Sequence, residues 1–115
     1  MNLDPGAMSR LLDITGGDQG FVDELIDTFI EDATTQIDAL RAAAAGGQPE
    51  AIVRPAHSLK SNAANVGATE LEALARGLEA DGRAGEVPDV AARVASVDAE
   101  FTAVRDALLA ERAAR

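Results

Sequence analysis

The sequence predicts an all-α protein: an antiparallel up-down-up-down four-helix bundle with a short N-terminal helix. Three observations support this prediction. Hydrophobic residues make up 47% of the 115 residues and aromatic residues only 3%, and much of the apolar content is alanine, the strongest helix former. Apolar residues also recur at intervals of three and four in four long segments. Short loops separate these segments, and short loops make consecutive helices antiparallel.

The N-terminal part of the chain predicts a short helix followed by a long one. Gly16 and Gly17 end the first helix, and Asp18 is the predicted N-cap of the second. The second helix ends at Gly46 and Gly47. The predicted apolar patch of the first helix comprises Met8, Leu11, Leu12 and Ile14. The predicted buried stripe of the second helix comprises Phe21, Leu25, Phe29, Ala33, Ile37 and Leu40.

Three further helices follow. Pro49 is a favourable residue for the first turn of the third helix, which stops at Gly67. A capping box of Thr69 and Glu72 is predicted to open the fourth helix, and residues 81–88 form a turn-rich connector to the fifth. The predicted buried residues of these helices are Ile52, Ala56, Leu59, Ala63 and Val66 in the third, Leu71, Leu74, Ala75 and Leu78 in the fourth, and Val90, Val94, Val97, Phe101, Val104 and Leu108 in the fifth.

Composition and charge narrow the classes of function. The length predicts one domain over residues 1–115. The chain has no cysteine, which excludes disulfides and thiolate metal sites. A formal net charge of −10 disfavours nucleic acid and anionic membrane surfaces as partners. No signal peptide or membrane-spanning run is recognisable, so we expect a cytoplasmic protein, with a monomer as the default.

The third helix carries a row of residues that points away from its buried stripe. His57 and Lys60 are the only histidine and the only lysine of the chain. At helical spacings of three, four and seven, the row also contains Arg54, Ser61 and Ala64. A largely neutral histidine can act as a nucleophile, and a nearby ammonium can stabilise a transferred phosphoryl group. The small side chains of Ser61 and Ala64 leave room for a partner protein.

An ordinary solvated helix face is the alternative interpretation of this row. A metal site is not expected there, because one histidine without a second histidine or a cysteine is a poor ligand set.

The helical hairpin predicted around Gly67 brings the fourth helix to the level of His57. Ten residues separate His57 from the turn, so positions 77 to 79 lie opposite it. Glu79 could therefore accept a hydrogen bond from the Nδ1–H of His57, fix the tautomer and leave Nε2 to attack. Arg83, one turn further on, is an additional cation, and an ordinary surface ion pair between Glu79 and Arg83 is the alternative.

Pro55 lies two residues before His57 and removes one backbone hydrogen bond of the third helix. We expect a local bend that tips His57 outward. Alternatively, the helix proper starts after Pro55.

The segment from Ala56 to Ala68, with the sequence AHSLKSNAANVGA and followed by Leu71, closely resembles the signature of histidine phosphotransfer (HPt) domains. The shared features are His-x-Leu-Lys, a small residue directly after the lysine, and a glycine ten positions after the histidine. The order of the helices and the total length are also similar to that family, so the resemblance covers nearly the whole chain.

The resemblance implies a helical bundle that shuttles a phosphoryl group in a multistep phosphorelay. His57 would be phosphorylated at Nε2, and Lys60 matches the family lysine that neutralises the phosphoryl group. Gly67 matches the turn glycine, and Glu79 falls where the family places Gln or Glu beside the imidazole. Ser61 stands where many members have glycine, which would tighten access.

The partners implied by the resemblance are the receiver domains of response regulators and a hybrid histidine kinase. The donor and acceptor would be receiver aspartates, and the receivers would bring their own Mg²⁺, so no cofactor of the chain itself is expected.

Two other classes of function compete with a phosphocarrier. The first is an acidic helical docking module that binds a receiver or another signalling protein without carrying phosphate. The second is an autonomous kinase or phosphatase, but the sequence has no P-loop and no Gly-rich nucleotide loop. We therefore do not expect an enzyme with its own ATP site.

Overall fold

The computed structural model describes residues 6–14 and 16–113. Within these ranges the secondary structure is helical, and five helices follow one another along the chain. Their bounds are α1 Ala7–Ile14, α2 Gln19–Gly46, α3 Pro49–Asn65, α4 Thr69–Ala84 and α5 Val90–Ala113. The turns between the four long helices are two to five residues long, as the sequence predicted, and such turns reverse the chain direction.

The four long helices form the predicted antiparallel bundle. α3 packs against both α2 and α4, and α5 also packs against α2 and α4, so each long helix has two neighbours. The short helix α1 packs against α2. The expected fold class is therefore confirmed.

The helix ends have local causes that the sequence already showed. The carboxylate of Asp18 accepts a hydrogen bond from the backbone N–H of Phe21 at 3.0 Å, which caps α2. Gly47 ends α2 in the left-handed region with φ 70°, where a residue without Cβ is favoured. Pro49 is the first residue of α3. Gly67 has φ 72° in the turn that follows α3.

The core differs from the predicted stripe at the start of α2. Val22 and Ile26 are fully buried, whereas Phe21 is 49% exposed and Leu25 is only partly buried. The prediction was wrong here because it extended the stripe from Phe29 towards the N-terminus in two intervals of four residues, to Leu25 and then to Phe21. In a helix of 3.6 residues per turn this places Phe21 about 80° from Phe29, whereas Val22 lies within about 20° of it.

In α3 and α5 the predicted stripes are the buried ones, except that Val90 is only partly buried. The remaining core residues are Phe29, Ala33, Ile37, Leu40 and Ala43 in α2, Ile52, Ala56, Leu59 and Ala63 in α3, Val66 and Ala68 in the turn, Leu71, Ala75 and Leu78 in α4, and Val94, Val97, Phe101, Val104 and Leu108 in α5.

Three predictions about α4 were wrong. Leu74 is 37% exposed, because it lies about 100° around the helix from the buried Ala75. Thr69 does not cap the helix: Ala68 is the N-cap and no side chain makes a capping hydrogen bond. The connector is also shorter than predicted, since α4 continues to Ala84 and ends at Gly85 with φ 89°.

The apolar patch predicted for α1 is only partly described. The side chains of Met8 and Leu11 lie outside the described part of the chain. Leu12 packs against the core, but Ile14 is 81% exposed and does not belong to a buried patch.

α3 runs without interruption through Pro55, so the alternative that this helix starts after the proline was wrong. The outward bend at Pro55 stays a prediction. In the described part of the chain, no helix has the length and apolarity needed to cross a membrane.

Candidate functional site

The candidate site lies on the seam between α3 and α4. His57 is in the middle of α3, and its side chain is 56% exposed. The turn around Gly67 reverses the chain, and the hairpin brings Glu79 of α4 level with His57. The two residues are 22 positions apart in the sequence, and Nδ1 of His57 lies 2.7 Å from Oε2 of Glu79.

Glu79 is the buried charged residue of the described chain, with only 6% of its surface exposed. Its carboxylate accepts hydrogen bonds from two cations. Lys60 Nζ lies 2.7 Å from Oε1, and Arg83 Nη2 lies 2.8 Å from Oε2. A buried carboxylate is stable only when its oxygens are satisfied, and here donors from both helices satisfy them.

These partners also set the ionisation of Glu79. The hydrogen bond from Lys60 and then the one from Arg83 lower the pKa of Glu79 from 4.5 to about 2; burial opposes this shift and the His57 contact adds to it. Glu79 is therefore a carboxylate at neutral pH, with no proton to donate. The proton shared with His57 must come from the imidazole, so the contact is an Nδ1–H donor with a carboxylate acceptor.

The tautomer follows from this contact. With Nδ1 protonated, the neutral ring carries its lone pair on Nε2. The recorded hydrogen bond of the imidazole is made through Nδ1. The arrangement can thus present an unprotonated nitrogen at the surface while the other ring nitrogen is fixed by a buried partner.

The other residues singled out in the sequence lie at the surface of the site. Arg54, Ser61 and Ala64 are exposed on α3. Arg83 is exposed over most of its side chain, although its guanidinium is paired with Glu79. The structure thus brings His57, Lys60, Glu79 and Arg83 into one hydrogen-bonded cluster and leaves the other three beside it.

Sequence reasoning missed two features of this site. It did not anticipate the ion pair between Lys60 and Glu79, because it assigned Lys60 to the solvent-facing row of α3. It also placed Gly82 in a connector, whereas Gly82 is a buried residue of α4. The sequence did contain a signal for the burial of Gly82: it follows Glu79 by three positions and therefore lies on the same helix face.

Comparison with known proteins agrees with the geometry. The sequence model of the Hpt domain family matches residues 24–107, a range that contains α3, α4 and the whole cluster. The chain belongs to the Hpt domain family and is a histidine-containing phosphotransfer domain.

Among solved structures, the chain is similar to the crystal structure of histidine-containing phosphotransfer protein B (HptB) from Pseudomonas aeruginosa PAO1. The TM-score is 0.89 and the sequence identity 29%, over 99% of this chain and 96% of that chain. No curated protein matches the sequence significantly.

Proposed function

We propose that this protein is a phosphocarrier of a multistep two-component phosphorelay. It accepts a phosphoryl group on Nε2 of His57 from the aspartate of one receiver domain and passes it to the aspartate of another. The observation that carries this proposal is the 2.7 Å contact between Nδ1 of His57 and the buried carboxylate of Glu79, because it orients an otherwise exposed imidazole for attack through Nε2.

The transfer step needs no separate base. The lone pair of Nε2 forms the new bond to phosphorus, the bond between phosphorus and the aspartyl oxygen breaks, and its electron pair returns to the receiver carboxylate. Nδ1 keeps its proton, so the phosphorylated ring carries positive charge. The carboxylate of Glu79, 2.7 Å from Nδ1, stabilises that charge.

Lys60 is proposed to stabilise the phosphoryl group. Its ammonium has three N–H donors, of which one is directed to Oε1 of Glu79, so donors remain for phosphoryl oxygens. Charge developing on a phosphoryl group in transfer is stabilised in this way by positioned cations. The ion pair with Glu79 holds Lys60 near the histidine on its own helix.

The proposed docking surface for receivers is formed by Arg54, Ser61, Ala64 and Arg83 around His57. Ser61 and Ala64 are small enough for close approach, and the two arginines add positive charge next to the histidine in a chain of net charge −10. Phosphorylated receiver aspartates carry negative charge, which these cations attract.

We propose that Mg²⁺ is supplied by the receiver. Glu79, the buried carboxylate of the site, is already hydrogen-bonded to three donors and offers a metal ion no free oxygen pair of the kind Mg²⁺ requires. We further propose that the chain lacks an ATP site of its own, receives phosphate through a hybrid histidine kinase and acts in the cytoplasm as a monomer.

A label-transfer experiment tests the function. A panel of receiver domains is charged with labelled acetyl phosphate and incubated with the wild type and with His57→Gln. Acid-labile label on the wild type and none on the variant is the expected result. Binding of a charged receiver without transfer of label would instead support a docking module, and label surviving in His57→Gln would place the acceptor elsewhere.

A further inference from the structure

At Gly82, α4 packs closely against α3. A Cβ atom at this position would lie 2.9 Å from Cγ2 of Val53 and 3.0 Å from the carbonyl oxygen of Pro49. Non-bonded carbon atoms are usually about 3.5–4.0 Å apart. Even a methyl group at position 82 therefore does not fit at the present distance between the helices.

The neighbours of Gly82 have little freedom to make room. Val53 is β-branched, and its χ1 angle is restricted within a helix. The Pro49 oxygen belongs to the backbone at the start of α3. A side chain at position 82 would therefore be accommodated by moving the two helices apart by a few tenths of an ångström.

This contact lies one helical turn from the candidate site on both helices. Val53 precedes His57 by four residues, and Gly82 follows Glu79 by three, so each pair shares a helix face. We propose that Gly82 is a positioning residue: it lets α4 approach α3 closely enough for Glu79 to reach both Nδ1 of His57 and Nζ of Lys60. The inference rests on the proposed function of this site.

Helix separation would affect the contacts of Glu79 unequally. The hydrogen bonds with His57 and Lys60 cross from α4 to α3, and both are 2.7 Å long. The 2.8 Å bond with Arg83 lies within α4. Charge-assisted bonds of this kind are short, about 2.7–2.9 Å. Widening the seam therefore weakens the two bonds to α3 and leaves the bond to Arg83 intact.

Gly77 provides a matched control on the same helix. A Cβ atom at Gly77 would meet only Nη2 of Arg93, at 3.3 Å, and that guanidinium is the far end of a flexible side chain. Gly77→Ala and Gly82→Ala both replace a weak helix former with a strong one. Only the second change forces α3 and α4 apart.

The test measures the full chain in two ways. Nitrogen-15 NMR of the imidazole reports the fraction of His57 in the Nδ1–H tautomer, and phosphoramidate, a small phosphoryl donor that needs no partner, reports the rate of phosphorylation. In Gly82→Ala we expect a smaller Nδ1–H fraction and phosphorylation about tenfold slower, because small misplacements are costly in transfer reactions. In Gly77→Ala we expect wild-type values for both.

A folded Gly82→Ala protein with the wild-type tautomer and rate would overturn the proposal, and so would equal losses in the two variants. If Gly82→Ala does not fold, Val53→Ile is measured in its place, because it adds one methyl group on the other side of the same contact. A wild-type tautomer fraction and a wild-type phosphorylation rate in Val53→Ile would then overturn the proposal. Failure of the wild type to take up labelled phosphate on His57 from any charged receiver would contradict the proposed function. The tautomer measurement requires no phosphoryl donor and still decides the role of Gly82.

Discussion

The ammonium of Lys60 lies 2.7 Å from Oε1 of Glu79. The cation proposed to meet the phosphoryl group is thus held by the same carboxylate that orients the histidine. One buried side chain of α4 therefore couples two residues of α3 that stand three positions apart. Changes at Glu79 should affect both the orientation of His57 and the position of Lys60, whereas changes at Lys60 should leave the imidazole contact in place.

Replacing Lys60 with alanine should slow phosphoryl transfer without unfolding the protein. Removal of one stabilising donor from a charged transition state typically costs about a hundredfold or more in rate. Lys60 pairs with a buried carboxylate, but Glu79 keeps its bonds to His57 and Arg83, so we expect a loss of about 1–3 kcal/mol in the free energy of unfolding. Single-turnover transfer from a charged receiver and a thermal melt provide the two measurements.

Arg105→Ala is the matched control for Lys60→Ala. Arg105 forms an exposed ion pair with Asp106 on α5, a helix that contributes no residue to the cluster, so its loss should leave transfer unchanged. A Lys60→Ala rate equal to that of Arg105→Ala would remove Lys60 from the site.

Two substitutions of Glu79 separate its hydrogen bond with His57 from its ion pair with Lys60. In Glu79→Gln the amide oxygen can still accept the Nδ1–H of His57, but the charge that attracts Lys60 is gone. In Glu79→Ala both interactions are lost. We expect transfer to slow about tenfold in the alanine variant, with the glutamine variant between it and the wild type. Equal rates for wild type and Glu79→Ala would show that the imidazole needs no partner.

Acid should destabilise the protein through Glu79. Its pKa is about 2 in the folded protein and 4.5 when unperturbed, so the unfolded chain binds this proton first as the pH falls. The contribution of Glu79 is therefore fully present above about pH 4.5, decreases below it and is lost as the pH falls through about 2. Denaturant titrations across this interval should give a shallower pH dependence for Glu79→Gln than for the wild type.

Glu31→Gln serves as the control for this pH dependence, because Glu31 is an exposed carboxylate on α2. The free energy of unfolding of Glu31→Gln should vary with pH in the same way as that of the wild type. A Glu79→Gln profile that also follows the wild type would mean that Glu79 is not preferentially ionised in the folded state.

The packing of α3 and α4 can be tested with two leucines. Leu59 is fully buried, whereas Leu74 is 37% exposed. Leu59→Ala should lower the free energy of unfolding by about 2–5 kcal/mol, and Leu74→Ala by less than about 1.5 kcal/mol, because most of the cost of a cavity is absent at a partly exposed position. Chemical denaturation measures both, and similar losses would contradict the burial of Leu59.

Local interactions let the sequence alone determine the helices. Asp18 caps a helix with its own side chain, and Gly47 takes a backbone conformation that other residues avoid, so both act within one turn of the chain. The direction of His57 relative to its helix is equally local, because 3.6 residues per turn place it off the stripe of Ala56 and Leu59. The level of Glu79 opposite His57 then follows from the short turn at Gly67.

The tertiary structure decided how the helix faces meet. Val90 and Val94 both lie on the predicted stripe of α5, and the packing of the neighbouring helices leaves Val90 partly buried and Val94 buried. The pairing of Lys60 with Glu79 and the close approach at Gly82 likewise depend on the distance between α3 and α4. Helical periodicity predicts the direction of a side chain, but burial and contact depend on which helix packs there and how closely.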